Sequence, residues 1–465
     1  MFYEITPSSR EAFVSDDGLR LTYADLSDYI EKFRRLQTGR TLSFCFCKNC
    51  PASAIGYLGF LNSGTVPLML DRKTDRALAA RLVALYSPSY IYAPSDMADT
   101  FPGYERAGEI LDYTLLKAAV QKSVVLNGDL ALLLTTSGST GSPKLVRQSY
   151  RNIESNARAI AEYLSLTPDE RAVTTLPMNY TYGLSIINSH LLAGATVLFT
   201  DKPVIMKPFW DFMKRERATS FGGVPSTYEL LKKIKFFKMD LPHLRYMTQA
   251  GGKLLPELHA EYAGWAAQHG KRFIVMYGQT EATARMGYLP WEYAQKKAGS
   301  MGRAIPGGRF SLIDAHGREI NEPETVGELL YEGDNVTMGY AETPDDLSRG
   351  DERGGRLLTG DMAKRDADGF YYIVGRKKRF LKISGSRVNL DEIDRLVKSE
   401  FPGVDCASSG VDDKMRVYVT DESKTDEIRR WLSDKTHLRE SAFSVMFIPE
   451  IPKNEAGKTL YEKLP

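Results

Sequence analysis

Cysteine is scarce in this 465-residue chain, with four in all. Cys45, Cys47 and Cys50 cluster in SFCFCKNC, while Cys406 is remote and no histidine lies near the cluster. A structural zinc site takes four ligands, usually from CxxC pairs or histidines at set spacings. The alternation through Leu42–Phe46 reads instead as a buried strand in which cysteine serves as a small hydrophobe. No apolar run reaches the roughly 18 residues of a transmembrane helix. The opening MFYEITPSSREAF has no basic segment followed by an apolar one, so no secretory signal is expected and a reduced, cytoplasmic setting is the default. Charge of one sign is also lacking: 61 Lys and Arg against 59 Asp and Glu give a formal net charge of +2. A protein that mainly binds nucleic acid would show a basic excess. Internal repeats, low-complexity tracts and long like-charge blocks are absent as well.

What is present is ordinary for a soluble globular protein: 43% hydrophobic and 26% charged residues. At about 150 residues per domain the length predicts two or three domains. The N-terminal part alternates two textures. Ala52–Asn62 reads as an apolar helix ended by Ser63-Gly64, and Arg151–Tyr163 as a second helix. Val66–Leu70, Leu132–Thr135, Thr196–Phe199, Arg272–Tyr277 and Glu328–Tyr331 read as strands. Strands alternating with helices predict an α/β architecture with largely parallel sheets. Near Gly375 the texture changes. GRKKRFLK packs Arg376, Lys377, Lys378, Arg379 and Lys382 into eight positions. Leu390–Phe401 and Thr425–Ser433 then read as helices, Arg416–Thr420 and Val445–Ile448 as strands. This predicts a compact α+β unit and a boundary at about Lys378, with domains 1–377 and 378–465.

The most informative stretch is LLLTTSGSTGSPK, Leu132–Lys144. A buried strand empties into Thr136, Ser137, Gly138, Ser139, Thr140 and Gly141. Glycines let backbone N–H groups approach an anion, hydroxyls add donors and Lys144 adds positive charge, so the loop is read as phosphate-binding rather than as a flexible surface loop. It is not a Walker A loop, because Gly141 is followed by Ser-Pro-Lys. A second stretch, Tyr277-Gly278-Gln279-Thr280-Glu281, follows a strand, where ligands collect in open α/β sheets. Tyr277 could stack on a base, Thr280 could bond a phosphate and Glu281 could hold Mg²⁺. A third, Leu358–Asp361, places a carboxylate behind a glycine turn. Taken alone, the second reads as well as a polar turn as a site, and the third is an ordinary turn sequence.

Their order is what carries meaning. TSGSTGSPK, YGQTE, TGD, GRKKRFLKISG and PKNEAGK together resemble the adenylate-forming (AMP-binding) superfamily: acyl- and aryl-CoA synthetases, luciferases and the adenylation domains of nonribosomal peptide synthetases. LTYADL from Leu21, GTVPL from Gly64, GSMGR from Gly299 and GEL from Gly327 are similar to further motifs, although Arg303 and Ala304 replace the usual xP. The resemblance spans nearly the whole chain. It implies a large α/β N-terminal domain of stacked, mainly parallel sheets flanked by helices, with a small β-rich subdomain, and a small mobile α+β C-terminal domain. It further implies that Ser137–Lys144 covers the β- and γ-phosphates of ATP, Tyr277 packs near the adenine, Thr280 contacts the α-phosphate and Glu281 binds Mg²⁺. Gly278 and Gln279 belong to the same nucleotide-binding segment. Asp361 would hold the ribose hydroxyls, with Arg376 gripping the nucleotide. Lys458 matches the lysine bridging carboxylate and α-phosphate, and Lys378 the hinge position. The hairpin around Leu381–Arg387 would line the thiol tunnel.

The same resemblance implies an acid pocket walled by Tyr180, Thr181, Tyr182 and Gly183, by Val224 and Pro225, and by Ala250, Gly251 and Gly252. Amino-acid-activating members usually carry an Asp at the position of Thr181. No acidic residue lies in Pro177–Ile187, and a buried ammonium without a carboxylate is costly. The expected substrate is therefore an acyl or aryl acid, with an aromatic wall from Tyr180 and Tyr182 or, alternatively, two tyrosines that only pack the core. The acceptor is a thiol, either CoA or the phosphopantetheine of an acyl or peptidyl carrier protein. No carrier domain follows Lys458, so a stand-alone monomer or homodimer is expected. The C-terminal domain, about 87 residues from Arg379 to Pro465, is shorter than in most relatives. Two other readings stand beside the ligase: a stand-alone amino-acid adenylating enzyme and a non-catalytic nucleotide-binding module. The second would tolerate loss of Glu281, Asp361, Arg376 and Lys458, all of which are present.

Overall fold

The apolar runs Leu42–Cys47 and Leu130–Thr135 become strands buried on both faces, with Cys45 and Cys47 as buried thiols. Such strands need cover on both sides of their sheet. Helices supply it, two of them buried almost all round: Pro51–Ser63 and Thr181–Leu192. The first begins on a proline, whose missing N–H costs nothing there, and ends at Gly64 with φ 72°, a left-handed stop. Helix Tyr150–Leu164 is capped by Ser149, whose side chain accepts from the Asn152 N–H while Asn152 reaches back to the Ser149 N–H.

The computed structural model describes residues 1–135, 144–383, 386–436, 438–453 and 459–465. They divide into two units, Met1–Arg309 with Glu332–Leu357, and Phe310–Tyr331 with Leu358–Pro465. The first unit carries two large sheets. In the eight-stranded one, Leu130–Thr135, Val66–Asp71, Leu42–Cys47 and Tyr90–Pro94 run parallel in that order. Leu145–Ser149 and then Gly339–Ala341 extend it antiparallel beyond Leu130–Thr135. In the nine-stranded sheet, Arg272–Tyr277, Tyr246–Gln249, Ser220–Gly223, Arg171–Val173, Thr196–Phe199 and Glu11–Ser15 form a parallel run, flanked by short antiparallel strands. One buried cluster joins Leu132 and Cys45 of the first sheet, Phe13 and Val197 of the second, and Ile55, Ile153 and Ile187 of the helices. The expected mainly parallel α/β architecture is observed. No helix among the described residues is long and apolar enough to cross a membrane.

The second unit holds a five-stranded sheet that includes Gly327–Glu332, Arg356–Arg365 and Tyr371–Arg376. Beyond it come the hairpin Phe380–Ile383 with Ser386–Asn389 and a three-stranded sheet of Cys406–Val411, Lys414–Val419 and Phe443–Phe447. Helices Leu390–Glu400 and Thr425–Thr436 close a core around Ile393, Val397, Val417 and Leu432. Lys378 lies in the turn Lys377–Arg379. The chain is stitched across this turn. Asn389 Nδ2 donates to the Val374 carbonyl at 2.7 Å, and the Arg376 N–H donates to Asp391 Oδ2 at 3.1 Å. Arg379 pairs with Asp391 and, at 2.8 Å, with Asp394, and lies over the Tyr461 ring.

Burial pushes the Asp394 carboxyl up to about 6, with Arg379 opposing. The folded protein therefore keeps a proton that the unfolded chain releases near pH 4. Stability from this group is full below about pH 4 and is lost as pH rises towards 6. Asp394→Asn imitates the protonated form. Urea titrations should show the wild type losing about 2–3 kcal/mol relative to the variant between pH 4 and pH 7. A difference that is flat, or grows in the opposite direction, would refute the burial of a protonated acid here.

Candidate active site

Three parallel strands end side by side. Gly223 faces Gln249 across one ladder and Gln249 faces Val275 across the next. The chain leaves the third strand through Tyr277 and Gly278. Gln279 leads into a 3-10 turn, Thr280–Ala282, that carries Glu281. Gly278 cannot be replaced without movement: a Cβ there would lie 1.6 Å from the Ala284 carbonyl oxygen. Thr283 and Ala284 are consecutive left-handed residues, φ 50° and 85°, a conformation that costs an L side chain free energy. Buried amides hold the turn. Asn335 Nδ2 donates to the carbonyls of Ala282 and Arg285 at 2.8 and 3.0 Å, and Asn156 Nδ2 donates to Arg285 at 2.7 Å.

Glu281 is fixed at both ends. Its Oε1 accepts from the Tyr340 hydroxyl at 2.7 Å. Its carbonyl accepts from the Thr337 N–H and from Arg353 Nη1, both at 3.0 Å. The Arg353 guanidinium lies 4.7 Å over the Tyr340 ring, and Lys144 Nζ lies 5.8 Å from the same ring while pairing with Glu342 at 2.6 Å. Burial, with the Glu281 charge beside it, pushes the Tyr340 phenol up to about 12, so at neutral pH the phenol donates. Tyr340 reaches this place because Gly339–Ala341 pairs with Leu145–Ser149, with Tyr340 opposite Val146. Arg147 anchors the segment. It is fully buried, donates to the carbonyls of Met338, Tyr340 and Gly350, and pairs with Glu352. Sequence reasoning missed Tyr340, Arg353 and Arg147, whose only signal was a Gly-Tyr pair and two arginines outside any motif.

Most of the expected pocket wall also converges. Tyr180 caps helix Thr181–Leu192, and Thr181, Tyr182 and Gly183 form its first turn. A Cβ on Gly183 would meet the Pro177 carbonyl at 2.2 Å. Tyr182 donates its hydroxyl to the Thr248 carbonyl at 3.0 Å, and burial raises its phenol. Gly251 has φ 83°, and a Cβ there would lie 2.7 Å from the Tyr180 hydroxyl and 3.0 Å from Val224; at Gly252 it would lie 3.1 Å from Pro225. Val224, Ala250 and Tyr182 share one buried cluster, with Tyr180 packed against it.

In the second unit, Asp361 and Arg376 face each other in register across two antiparallel strands, and Arg376 Nε lies 2.6 Å from Asp361 Oδ1. Gly360 turns at φ 70° just before the carboxylate. The Thr359 hydroxyl accepts from the Asp361 N–H at 3.1 Å. Thr136, Ser137, Gly138, Ser139, Thr140, Gly141 and Lys458 lie outside the described residues.

Residues 4–341 match the AMP-binding enzyme family, and the chain belongs to that family. It is 29% identical over 351 residues to a sulfoacetate–CoA ligase of Cupriavidus necator, covering 72% of this chain and 66% of that protein. It is 32% identical over 365 residues to a long-chain-fatty-acid–CoA ligase of Yersinia pestis, covering 74% and 62%. The match thus spans about two thirds or less of either relative's length. Among solved structures it is similar to the O-succinylbenzoate coenzyme A synthetase of Bacillus subtilis in complex with AMP, with TM-score 0.80 and 20% identity over 99% of this chain and 96% of that one.

The Gly278 contact is directly testable. Gly278→Ala must displace the Ala284 backbone and should cost about 2–4 kcal/mol. Chemical denaturation would measure it; a loss under about 0.5 kcal/mol, the range of an ordinary surface change, would mean the turn is not packed as described.

Proposed function

We propose that this chain is an ATP-dependent, AMP-forming acid–thiol ligase. The observation that carries the reading is the family match together with the Tyr277–Glu281 turn, whose carboxylate is clamped by Tyr340 at the ends of parallel strands. The acid's carboxylate, ionised at neutral pH with a pKa near ~4, attacks the α-phosphorus of ATP without a general base. The new oxygen–phosphorus bond forms as the bond to pyrophosphate breaks. A thiol then attacks the mixed anhydride's carbonyl, loses its proton and expels AMP.

The main obstacle is charge, since an anion must approach a polyanion. The residues present suit a divalent cation. Glu281 presents a carboxylate with one oxygen held by Tyr340 and no hydrogen bond to its Oε2 among the described residues. A single protein carboxylate with substrate phosphates is the kind of site Mg²⁺ takes. Mg²⁺ bound there would neutralise developing charge. Thr280 would contact the α-phosphate and Tyr277 the adenine. Thr136 to Gly141 with Lys144 would cover the outer phosphates, and Asp361 with Arg376 would bind the ribose side. Lys458 would bridge carboxylate and α-phosphate in the first step, then withdraw as the C-terminal segment turns about Lys378. Catalysis by this route is positioning and electrostatics.

The acid is a carboxylic acid other than an ordinary α-amino acid, because Tyr180–Gly183, Val224, Pro225 and Ala250–Gly252 place no carboxylate to pair an ammonium. The names of the curated relatives favour CoA as acceptor, with a carrier-protein arm as the other source of the same thiol. Pyrophosphate release from Mg-ATP, measured across fatty, aryl, hydroxy and amino acids with and without CoA, tests the reading; no release with any acid refutes it. Lys458→Ala should lower adenylation about 10²–10³-fold yet spare thiolysis of supplied acyl-adenylate. Equal loss in both half-reactions would remove the role assigned to Lys458.

A further inference from the structure

The strained pair Thr283–Ala284 delivers a residue that no motif contains. Arg285 is 2% exposed. Its Nε donates to Ser185 Oγ at 3.2 Å, and its Nη1 donates to the Tyr163 hydroxyl at 2.9 Å and lies 3.1 Å from Met276 Sδ. The guanidinium lies 4.9 Å over the ring of Tyr182. Tyr163 is in turn stacked on Tyr288, with centroids 4.3 Å apart. All of these partners are neutral. Among the described residues no carboxylate makes an ion pair with Arg285, and its Nη2 makes no hydrogen bond. Glu170, a buried acid on the same sheet's flank, is committed to Arg245 at 2.9 Å and to the Thr219 hydroxyl.

The other deeply buried arginine shows what a purely structural guanidinium looks like here. Arg147 has a carboxylate, Glu352, and backbone carbonyls on every side. Arg285 has neither. A cation taken out of water without a counter-ion is costly, and the face of one tyrosine offsets only part of that. The guanidinium is planar, permanently charged and built for bidentate contact with a carboxylate or its analogues. Its position is equally specific. It touches Tyr182 and Ser185 in the first two turns of the buried helix that walls the proposed acid pocket. Glu281, beside which the reacting carboxylate would sit, is four residues earlier on the same turn.

We infer that Arg285 is a specificity-determining residue that receives a second anionic group, carboxylate or sulfonate, at the far end of the acid from the reacting carboxylate. The inference rests on the ligase reading above and names its substrate class: acids with two anionic groups. The same charge repels the ammonium of an amino acid and leaves a neutral alkyl or aryl tail facing an unpaired cation.

The test is pyrophosphate release by the full-length protein with Mg-ATP. The acids are the linear diacids from oxalate to suberate, terephthalate and sulfoacetate, each against the monoacid of matching length. One diacid or sulfo acid should exceed its neutral partner in kcat/KM by about 100-fold or more, since a site built for a polar group discriminates strongly against an analogue lacking it. Arg285→Gln should remove most of that ratio, and Arg285→Lys, which keeps the charge but not the fork, should restore part of it. A ratio that stays unchanged in both variants overturns the inference. If Arg285→Gln does not fold, the wild-type ratio and Arg285→Lys decide. Release that is at least as fast with monoacids leaves the ligase reading standing and overturns this inference alone. Release with no acid removes the ligase reading and this inference with it. Whether carboxylate or sulfonate is the natural partner follows from which arm of the panel is faster.

Discussion

One short turn places the candidate site residues of the first unit: the passage from Tyr277 to Arg285. It closes because Gly278 has no side chain and the Ala284 carbonyl can pack against it. Two left-handed residues make the turn unfavourable in isolation, so it persists only because Asn156 and Asn335 satisfy its carbonyls from outside. Those amides arrive from a helix and a loop far apart in sequence. Tyr277, Glu281 and Arg285 therefore hold fixed relative positions, backed by two buried side chains that would touch no substrate.

Charge is handled differently in the places where it is buried. Arg147 is surrounded by acceptors and acts as a rivet for the segment that carries Tyr340. Asp361 and Arg376 neutralise each other across a strand pair, so a ribose would have to share an acid that already has a partner. Burial pushes the Asp394 carboxyl up to about 6 even with Arg379 beside it, so between about pH 4 and 6 the folded state holds a proton that the unfolded chain has lost. Arg285 alone of these has no opposite charge of its own.

Much of this architecture was legible in the residues. Continuous apolar runs marked the central strands, Ser63-Gly64 marked a helix end, and the order of small polar motifs pointed to the family. Of the residues assigned to the pocket wall, Tyr182, Val224 and Ala250 share a buried cluster with Tyr180 against it, and Gly251 approaches Tyr180 and Val224. What could not be read was the long-range pairing. Tyr340 meets Glu281 only because Gly339–Ala341 adds to a sheet edge nearly two hundred residues upstream in the chain, at Leu145–Ser149. No local pattern encodes such a register. Arg285 was passed over for a different reason. In TARMGY it looks like a surface arginine, and only the reversal at Thr283–Ala284 turns it inward.

The stitches around Lys378 carry a consequence for timing. The Asn389 amide fits into the space left by the missing side chain of Gly375 and bonds the Val374 carbonyl, and Asp391 receives the Arg376 N–H. Any swing of the downstream segment about this point has to release both bonds and withdraw an amide from a close-packed notch. Close-packed contacts of this kind tend to switch between discrete positions rather than bend gradually. Under the proposed two-step reaction the joint would act as a latch whose release sets a waiting time, and the pause between forming an activated acid and handing it on would be governed by an asparagine that touches neither.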